Sequence, residues 1–592
     1  MVLSSPGVEV NIRDFSDYTS SPSTCIAGII GTGAKGPVSA LVTSVDQFIR
    51  TFGKPDGKAY GPYAAIEFLK QGNQLYYHRI LKQGVRAKAG IDGTDKLSIS
   101  AIEEGEEFNG ITVELLNEVS DETLTLTIKK AGQEQEKFEK LSMNPDSVDY
   151  VPKKINGISN FITVQILPTG SFPDKTFTLE GGRSGASRAT STPLGETKVN
   201  PPVFTSKTVD ITINEGVVTL TEPDNLGYCD YTLTNRKGEA VERFAGVNIV
   251  DRTDPRYLDV VLQDYSDYLE VVIPSTASDL AGEYTLAGSY DGSNELVPED
   301  YISANGPIEA FSNSNTFPID ILAIPGVSDA SVVHAAVGMC ETRQDVIFIT
   351  DVPFGMSTQE VVNWANASGS WSGRHAPFDS YLQAIYGPWG KMADTYNNGV
   401  RIDVPPSVMV LPRYAYSDRT GGVGVSPAGI DRGKITNIVS LERQLTQGDS
   451  DAWYGGRNVI NPIMNFGVSG IVINGQKTTQ RKSTALDRIN VVRVINYIRK
   501  QVYQISLGFL FESNHPVTYQ RWVTAVDPML DALKNAGTIS DYQIKMDETT
   551  VTDYDRDNSR LPGSIAIKPT KLSEFIDISL RVDNQSTVYI DE

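Results

Sequence analysis

The periodicity of the chain changes twice along its length, and this limits the possible folds more than any motif. Residues 24–90, and again the stretch from 319 onward, mix strand-length apolar runs with segments whose apolar residues recur every three or four positions. From about 91 to 318 the helical period vanishes and strict alternation replaces it. Strand–helix–strand units predict a parallel sheet with helices on its faces; alternation punctuated by turn residues predicts antiparallel β structure. The expected fold is therefore an α/β (α+β) core formed by the N- and C-terminal parts and interrupted by inserted antiparallel β domains, here 91–200 and 201–318.

Local chemistry gives the elements. TCIAGIIG at 24–31 reads as a buried strand, and Ser44 is placed to cap a helix carrying Val45, Phe48 and Ile49 that ends at Gly53. A second helix holds Tyr63, Ile66, Phe68 and Leu69, and LYYHRI follows as a strand. In the middle region Leu124, Leu126 and Ile128 alternate with threonines, and Val209, Ile211 and Ile213 alternate with Asp210 and Thr212. Further strands are expected at 217–220, 268–273 and 284–287. After 319, IDILAIPG and DVIFITDVP flank a helix capped by Ser328, with Val332, Val333, Ala336 and Val337 on one side. The longest helix spans 486–511, marked by Ile489, Val492, Ile495, Ile498, Val502 and Ile505; another runs from about Thr518 to Asn535 and stops at Gly537. The strands DYQIKMD, SIAIKP, FIDISL and STVYID follow.

Charge and cysteine usage narrow the function classes. With 52 basic and 73 acidic residues the net charge is −21, which disfavours general binding of nucleic acid and of anionic membranes. No apolar run approaches the roughly 20 residues of a membrane span. The start of the chain has no signal-peptide pattern, so synthesis in a cytoplasm is expected. Cys25, Cys229 and Cys340 are odd in number and far apart, which predicts neither a disulfide framework nor a zinc site.

Candidate chemistry is sparse. Gly31, Gly33 and Gly36 spell the dinucleotide-loop pattern after a strand, but the residues beyond Pro37 read as extended where a helix is needed; a tight loop with close backbone approach is the plainer reading. His78, His334, His375 and His515 lack ligand spacing; Asp351, Asp379 and Asp394 fall near loop positions where they could converge, but scattered aspartates of this kind read first as turn or cap residues. No catalytic, cofactor or metal site is expected. Lys477, Arg481, Lys482, Arg488, Arg493, Arg499 and Lys500 form a basic stretch, either a solvated helix face or a docking face for an acidic partner. Val8, Val10 and Ile12 form a short strand without a local partner, either a frayed terminus or a strand that pairs with another chain.

Several segments, in this order, resemble the contractile tail sheath family: SPGVEV at 5–10, IAGIIGTGAKGPV at 26–38, TSVDQFIRTFGKP at 43–55, ETRQDVIFITDVP at 341–353 and AIYGPWGKMAD at 384–394. VPPSVMVLPRYAYSD at 404–418, SPAGIDRGKI at 426–435, GIVINGQKTTQ at 470–480, INVVRVINYIRK at 489–500 and FESNHPVTYQRW at 511–522 continue it. The resemblance covers 1–90 and about 319–592.

The resemblance implies a structural subunit and no enzyme. Such subunits polymerise as a helix of hexameric rings around an inner tail tube and contract to drive it through a bacterial envelope during genome delivery. The implied partners are further copies, the tail tube protein, and baseplate and tail terminator proteins, with no nucleic acid and no direct membrane binding. The implied location is the phage virion, after synthesis in the host bacterial cytoplasm. On this reading 1–22 and 571–592 are linking arms and 23–90 with 319–570 is the sheath core. Val8, Val10 and Ile12 on one arm, and Phe575, Ile576, Ile578, Val588 and Ile590 on the other, would make intersubunit strands. Lys477, Arg481, Lys482 and Arg488 are candidates for facing the tube. The alternatives are a headless contractile particle, a nucleotide-binding enzyme built on Gly31–Gly36, and an adhesin built on the β insertion.

Overall fold

The computed structural model describes residues 25–89, 97–103, 108–118, 123–166, 175–181, 185–194, 198, 200–277, 279–304, 306–572 and 574. The fold is mixed α/β with several sheets.

The apolar run after Cys25 has no polar side to give to water, and it forms a strand covered on both faces. This strand, β1 (Ala27–Gly31), is followed by β2 (Ser39–Val42), helix α1 (Val45–Phe52), helix α2 (Tyr60–Leu69) and β3 (Leu75–Arg79). The chain resumes the core with β4 (Ile321–Ala323), α3 (Ala330–Arg343), β5 (Ile347–Asp351), α4 (Thr358–Asn366) and β6 (Gln383–Gly387). Then come α5 (Pro406–Gly421), β7 (Lys434–Ile435), β8 (Ile460–Asn465) and β9 (Ile471–Ile473). The last elements are α6 (Ile489–Leu507), α7 (Pro516–Asn535), β10 (Ile539–Lys545) and β11 (Ser564–Pro569).

Nine strands form one sheet in the order β2-β3-β1-β4-β5-β6-β8-β9-β7. From β3 to β8 all neighbours are parallel. The pairing of β1 with β4, Ala27 against Ile321, joins the two ends of the chain in one sheet. Alternate residues of each strand enter different cores. Ala27, Ile29, Ile347, Ile349, Ala384 and Tyr386 pack under α1, α2 and α5. Ile30, Leu322, Phe348 and Ile385 pack under α3 and α4.

Ser44 caps α1 and Gly53 ends it with φ 91°, as its sequence predicts. The cap of α3 is Asp329, not Ser328: its carboxylate accepts from the backbone N–H of Ser331 and Val332. Gly31 lies against Gly61, where a Cβ would stand 2.7 Å from the Gly61 Cα. Beyond Gly36 the chain enters β2 and pairs antiparallel with β3, so no helix begins at the third glycine.

The intervening stretch holds two β units. Strands 112–118, 123–130, 133–141 and 175–178 form one sheet, and 88–89, 97–101 and 162–166 another; they share a core running from Ala87 to Leu179. A seven-stranded sheet with a core from Ala189 to Leu286 follows. Packing thus divides the stretch between 179 and 189, ahead of the expected boundary at 200. Residues 296–319 also pack with the α/β core, through Ile308, Phe311 and Ile319, and not with the second β unit that was expected to reach 318. Short helices at 151–155, 258–265, 298–302 and 307–310 interrupt a region expected to be wholly β. The expected strand at 209–213 is a 3-10 turn, because the Asp210 carboxylate accepts from Thr212 N–H and closes it. All three cysteines are free and buried.

The chain leaves and re-enters the core at one stem. Lys82 N–H donates to Asp291 C=O at 3.1 Å, and Lys82 Nζ lies 2.5 Å from Glu295. The second β unit also touches the core directly: Arg79 donates to Val209 C=O, and Ile211 N–H to Ala34 C=O.

Replacing 85–289 by a short Gly/Ser linker should therefore leave a folded core. It would expose Arg79 to water, which suits a guanidinium. All five tryptophans lie beyond residue 363, so their fluorescence reports the core alone. A cooperative tryptophan melt within a few degrees of the full chain is expected; loss of cooperativity would make the second β unit part of the core's fold.

Candidate assembly interface

Helices α6 and α7 and the hairpin β10–β11 form a separate small core from Val494, Ile498, Tyr519, Trp522, Val526, Leu530 and Ile539. Alternation places Tyr542, Ile544, Ile565 and Ile567 toward it and leaves Asp541, Gln543 and Lys545 exposed. Tyr542 OH lies 2.6 Å from the Asp531 carboxylate and 2.8 Å from that of Asp527 and shares its one proton between them, fixing the hairpin to α7. Among the described residues β10 and β11 pair only with each other, so each presents an outer edge of backbone donors and acceptors. Such an edge is a template for an added strand.

The entry and exit of the body lie on polar anchors. Ile26 N–H donates to Asp320 at 2.8 Å, and Lys500 of α6 holds the same carboxylate at 2.7 Å. A cavity of about 490 Å³ opens there, lined by Ile26, Asp320, Arg343, Asp345, Arg493 and Lys500 among others. At the other end, Glu574 accepts from Arg488 Nε at 2.6 Å, Gln476 Nε2 at 2.9 Å and Tyr454 OH at 3.2 Å.

The basic stretch does not present one free face. Arg493 is buried, paired with Asp418 and stacked over Tyr414. Arg481 donates to Phe378 C=O, Ala365 C=O and Asn366. Lys477 lies 4.4 Å over the Tyr454 ring, and its backbone pairs antiparallel with that of Arg488, whose side chain holds Glu574. Arg499 donates to Gln344, while Lys482 is exposed. Val8, Val10, Ile12, Phe575, Ile576, Ile578, Val588 and Ile590 lie outside the described residues. Spacing alone did not reveal Glu574, Asp320 or Asp418, since single carboxylates in polar segments carry no periodic signal.

The other candidates serve packing. His78 is buried beside Ser39, and burial lowers its pKa to about 4. His334 and His375 both lie against Ala376 C=O, and His515 caps α7. Asp379 accepts from Arg481 N–H, and Asp394 from Tyr63 OH and Asn397. Asp351 accepts from Gly326 N–H and from the N–H and hydroxyl of Ser407. The three aspartates thus have separate partners. Among the described residues no group of three or more His, Cys, Asp or Glu side chains could hold a metal ion, and no helix is long and apolar enough to cross a membrane.

A family model, the phage tail sheath C-terminal domain, matches residues 481–583, the segment that carries α6, α7 and the open hairpin. The tail sheath protein of Enterobacteria phage T4 is 22% identical over 98% of this chain and 97% of its own length. The chain is a relative of the phage tail sheath proteins. The tail sheath protein of Vibrio phage KVP40 is 28% identical over 43% of this chain and 39% of its own, and that of Salmonella phage ViI 25% over 62% and 58%. Among solved structures, the sheath tail protein of Listeria innocua gives a TM-score of 0.46 at 10% identity, covering 92% of this chain and 95% of that one. The contracted helical sheath of the anti-feeding prophage gives 0.39 at 20%, covering 54% and 86%.

One buried group of this sheath relative titrates in an accessible range. Burial pushes Asp351 up to about 6 from 3.8, against the three donors that favour its charged form. A folded carboxyl with a raised pKa stabilises the fold at pH 4 and loses that contribution as pH rises through about 6. Two pK units correspond to about 3 kcal/mol. The stability gap between wild type and Asp351→Asn should shift against the wild type by about that amount between pH 4 and 7, in urea melts. A shift in the opposite direction would mean that the three donors outweigh burial.

Proposed function

We propose that this chain is the sheath subunit of a contractile tail. It polymerises as a helix of hexameric rings around an inner tube and shortens to drive that tube through a bacterial envelope during genome delivery. The observation that carries this reading is the hairpin of β10 and β11, whose outer edges are open among the described residues, inside the segment that matches the sheath C-terminal model. An outer edge of this kind suits strands donated by neighbouring copies, and a subunit that donates at both ends builds an open array. The donated strands are the arms 1–22 and 571–592, with Val8, Val10 and Ile12, and Phe575, Ile576, Ile578, Val588 and Ile590, as their apolar faces.

The two inserted β units lie on the outside of the sheath. Of the basic residues proposed to face the tube, Lys482 is the exposed one; Lys477, Arg481 and Arg488 are held by partners within the body and frame its position. Beyond its own copies the subunit meets the tube, the baseplate and the terminator, within the virion. It catalyses no reaction, since contraction is a switch between two packings stored at assembly. A headless contractile particle would use the same subunit, and microscopy of the native particle separates the two.

Removal of residues 1–18 is the direct test. Full-length protein should form hollow tubes in negative stain, whereas the truncated chain should melt as the full chain does yet remain as free subunits. Tubes of normal length from the truncated chain would exclude the N-terminal arm as the connector.

A further inference from the structure

After β11 ends at Pro569 the chain is held twice. Thr570 stays on the hairpin, its N–H donating to Thr538 C=O and its hydroxyl to Gly537 C=O. Glu574 is then held by a different part of the molecule, the α/β core. Its three donors come from three places: Tyr454 at the end of helix 447–454, Gln476 beyond β9, and Arg488 at the start of α6.

These donors are fixed by bonds that do not involve Glu574. Asn461 of β8 accepts from Lys477 N–H at 2.7 Å and donates to Lys477 C=O at 2.8 Å. Ile489 N–H donates to Gln476 C=O at 2.9 Å, and Lys477 Nζ donates to Tyr454 C=O at 2.5 Å. The result is a preformed socket with two cations, Lys477 and Arg488, facing one carboxylate from the C-terminal segment and a second from Asp487, 3.2 Å from Arg488. Charge-assisted donors converging on one point select a carboxylate. The Glu574 side chain is 16% exposed and that of Arg488 27%, so the contact is sheltered but still reached by water and salt.

We propose that this socket is a latch for the root of the C-terminal arm. Closed, it fixes the chain at Glu574, and only the residues beyond can reach a neighbouring copy. Open, it frees the chain back to Thr570, and four more residues lengthen the reach by up to about 14 Å. A connector with two lengths lets one arm stay paired while the spacing between copies changes. What the arm does rests on the sheath reading; the latch itself does not.

The test uses the full-length subunit below the concentration at which it assembles. Chymotryptic cleavage after Phe575 requires the chain around Glu574 to leave the socket. Glu574→Gln should be cut about fivefold faster or more than wild type, and wild type itself faster in 1 M salt. Removing the charged donor instead, by Arg488→Gln, should speed cleavage likewise, with melting of the body unchanged throughout. Equal cleavage of Glu574→Gln and wild type overturns the latch. So does a drop in body melting that accompanies faster cleavage, which would make the pair an ordinary staple of the core. Tube formation by the wild type is scored separately: a chain that never forms tubes removes the sheath reading and leaves the cleavage result intact.

Discussion

The parallel pairing of Ala27–Ile29 with Ile321–Ala323 is the constraint on which the rest of the molecule depends. It places at the middle of one sheet two strands separated by almost half the chain. Closing so long a loop costs little more than closing a short one, because the entropy cost grows only with the logarithm of length. What the closure requires is that the intervening chain depart and return at one place. The bond between Lys82 and Asp291 is that place, and the two β units beyond it have cores of their own. Loop length is thus nearly free for this fold, whereas loss of the central strand pair would divide the sheet.

Charge is handled differently inside the body and at its ends. Arg493 and Asp418 form an ion pair wholly inside, where removing one partner would leave the other uncompensated at a cost of roughly 3–5 kcal/mol. Cys25 lies in the field of the same pair, so the first described residue of the chain sits beside it. The anchors at Asp320–Lys500 and Glu574–Arg488 are nearer the surface and correspondingly weaker. Both ends of the described body thus rest on half-sheltered anchors, and the buried pair lies close to the first of them.

The sequence was legible where local chemistry decides the outcome. The apolar run into β1, the Ser44 and Gly53 caps of α1, and the three- and four-residue steps of α6 each contain their own signal. It was illegible where two local signals compete or a distant neighbour decides. Alternation at 209–213 satisfies a strand pattern equally well, yet the Asp210 side chain closes a turn there. Ser328 and Asp329 are both good caps, and only the backbone path chooses between them. The basic stretch looked like one surface because adjacent residues share a charge; the fold distributes them among Asp418, Asn366, Glu574 and Asp320. The carboxylates that answer those cations lie in three separate segments, which spacing cannot bring together.

The three buried thiols have a chemical consequence. Oxidation and disulfide exchange proceed through an accessible thiolate. Burial pushes Cys229 up to about 11 and holds Cys25 and Cys340 further into the protonated state. None of the three is therefore a ready nucleophile while the fold persists. Aerated surroundings would therefore leave the covalent structure of the folded chain unchanged, since none of these thiols is presented for cross-linking.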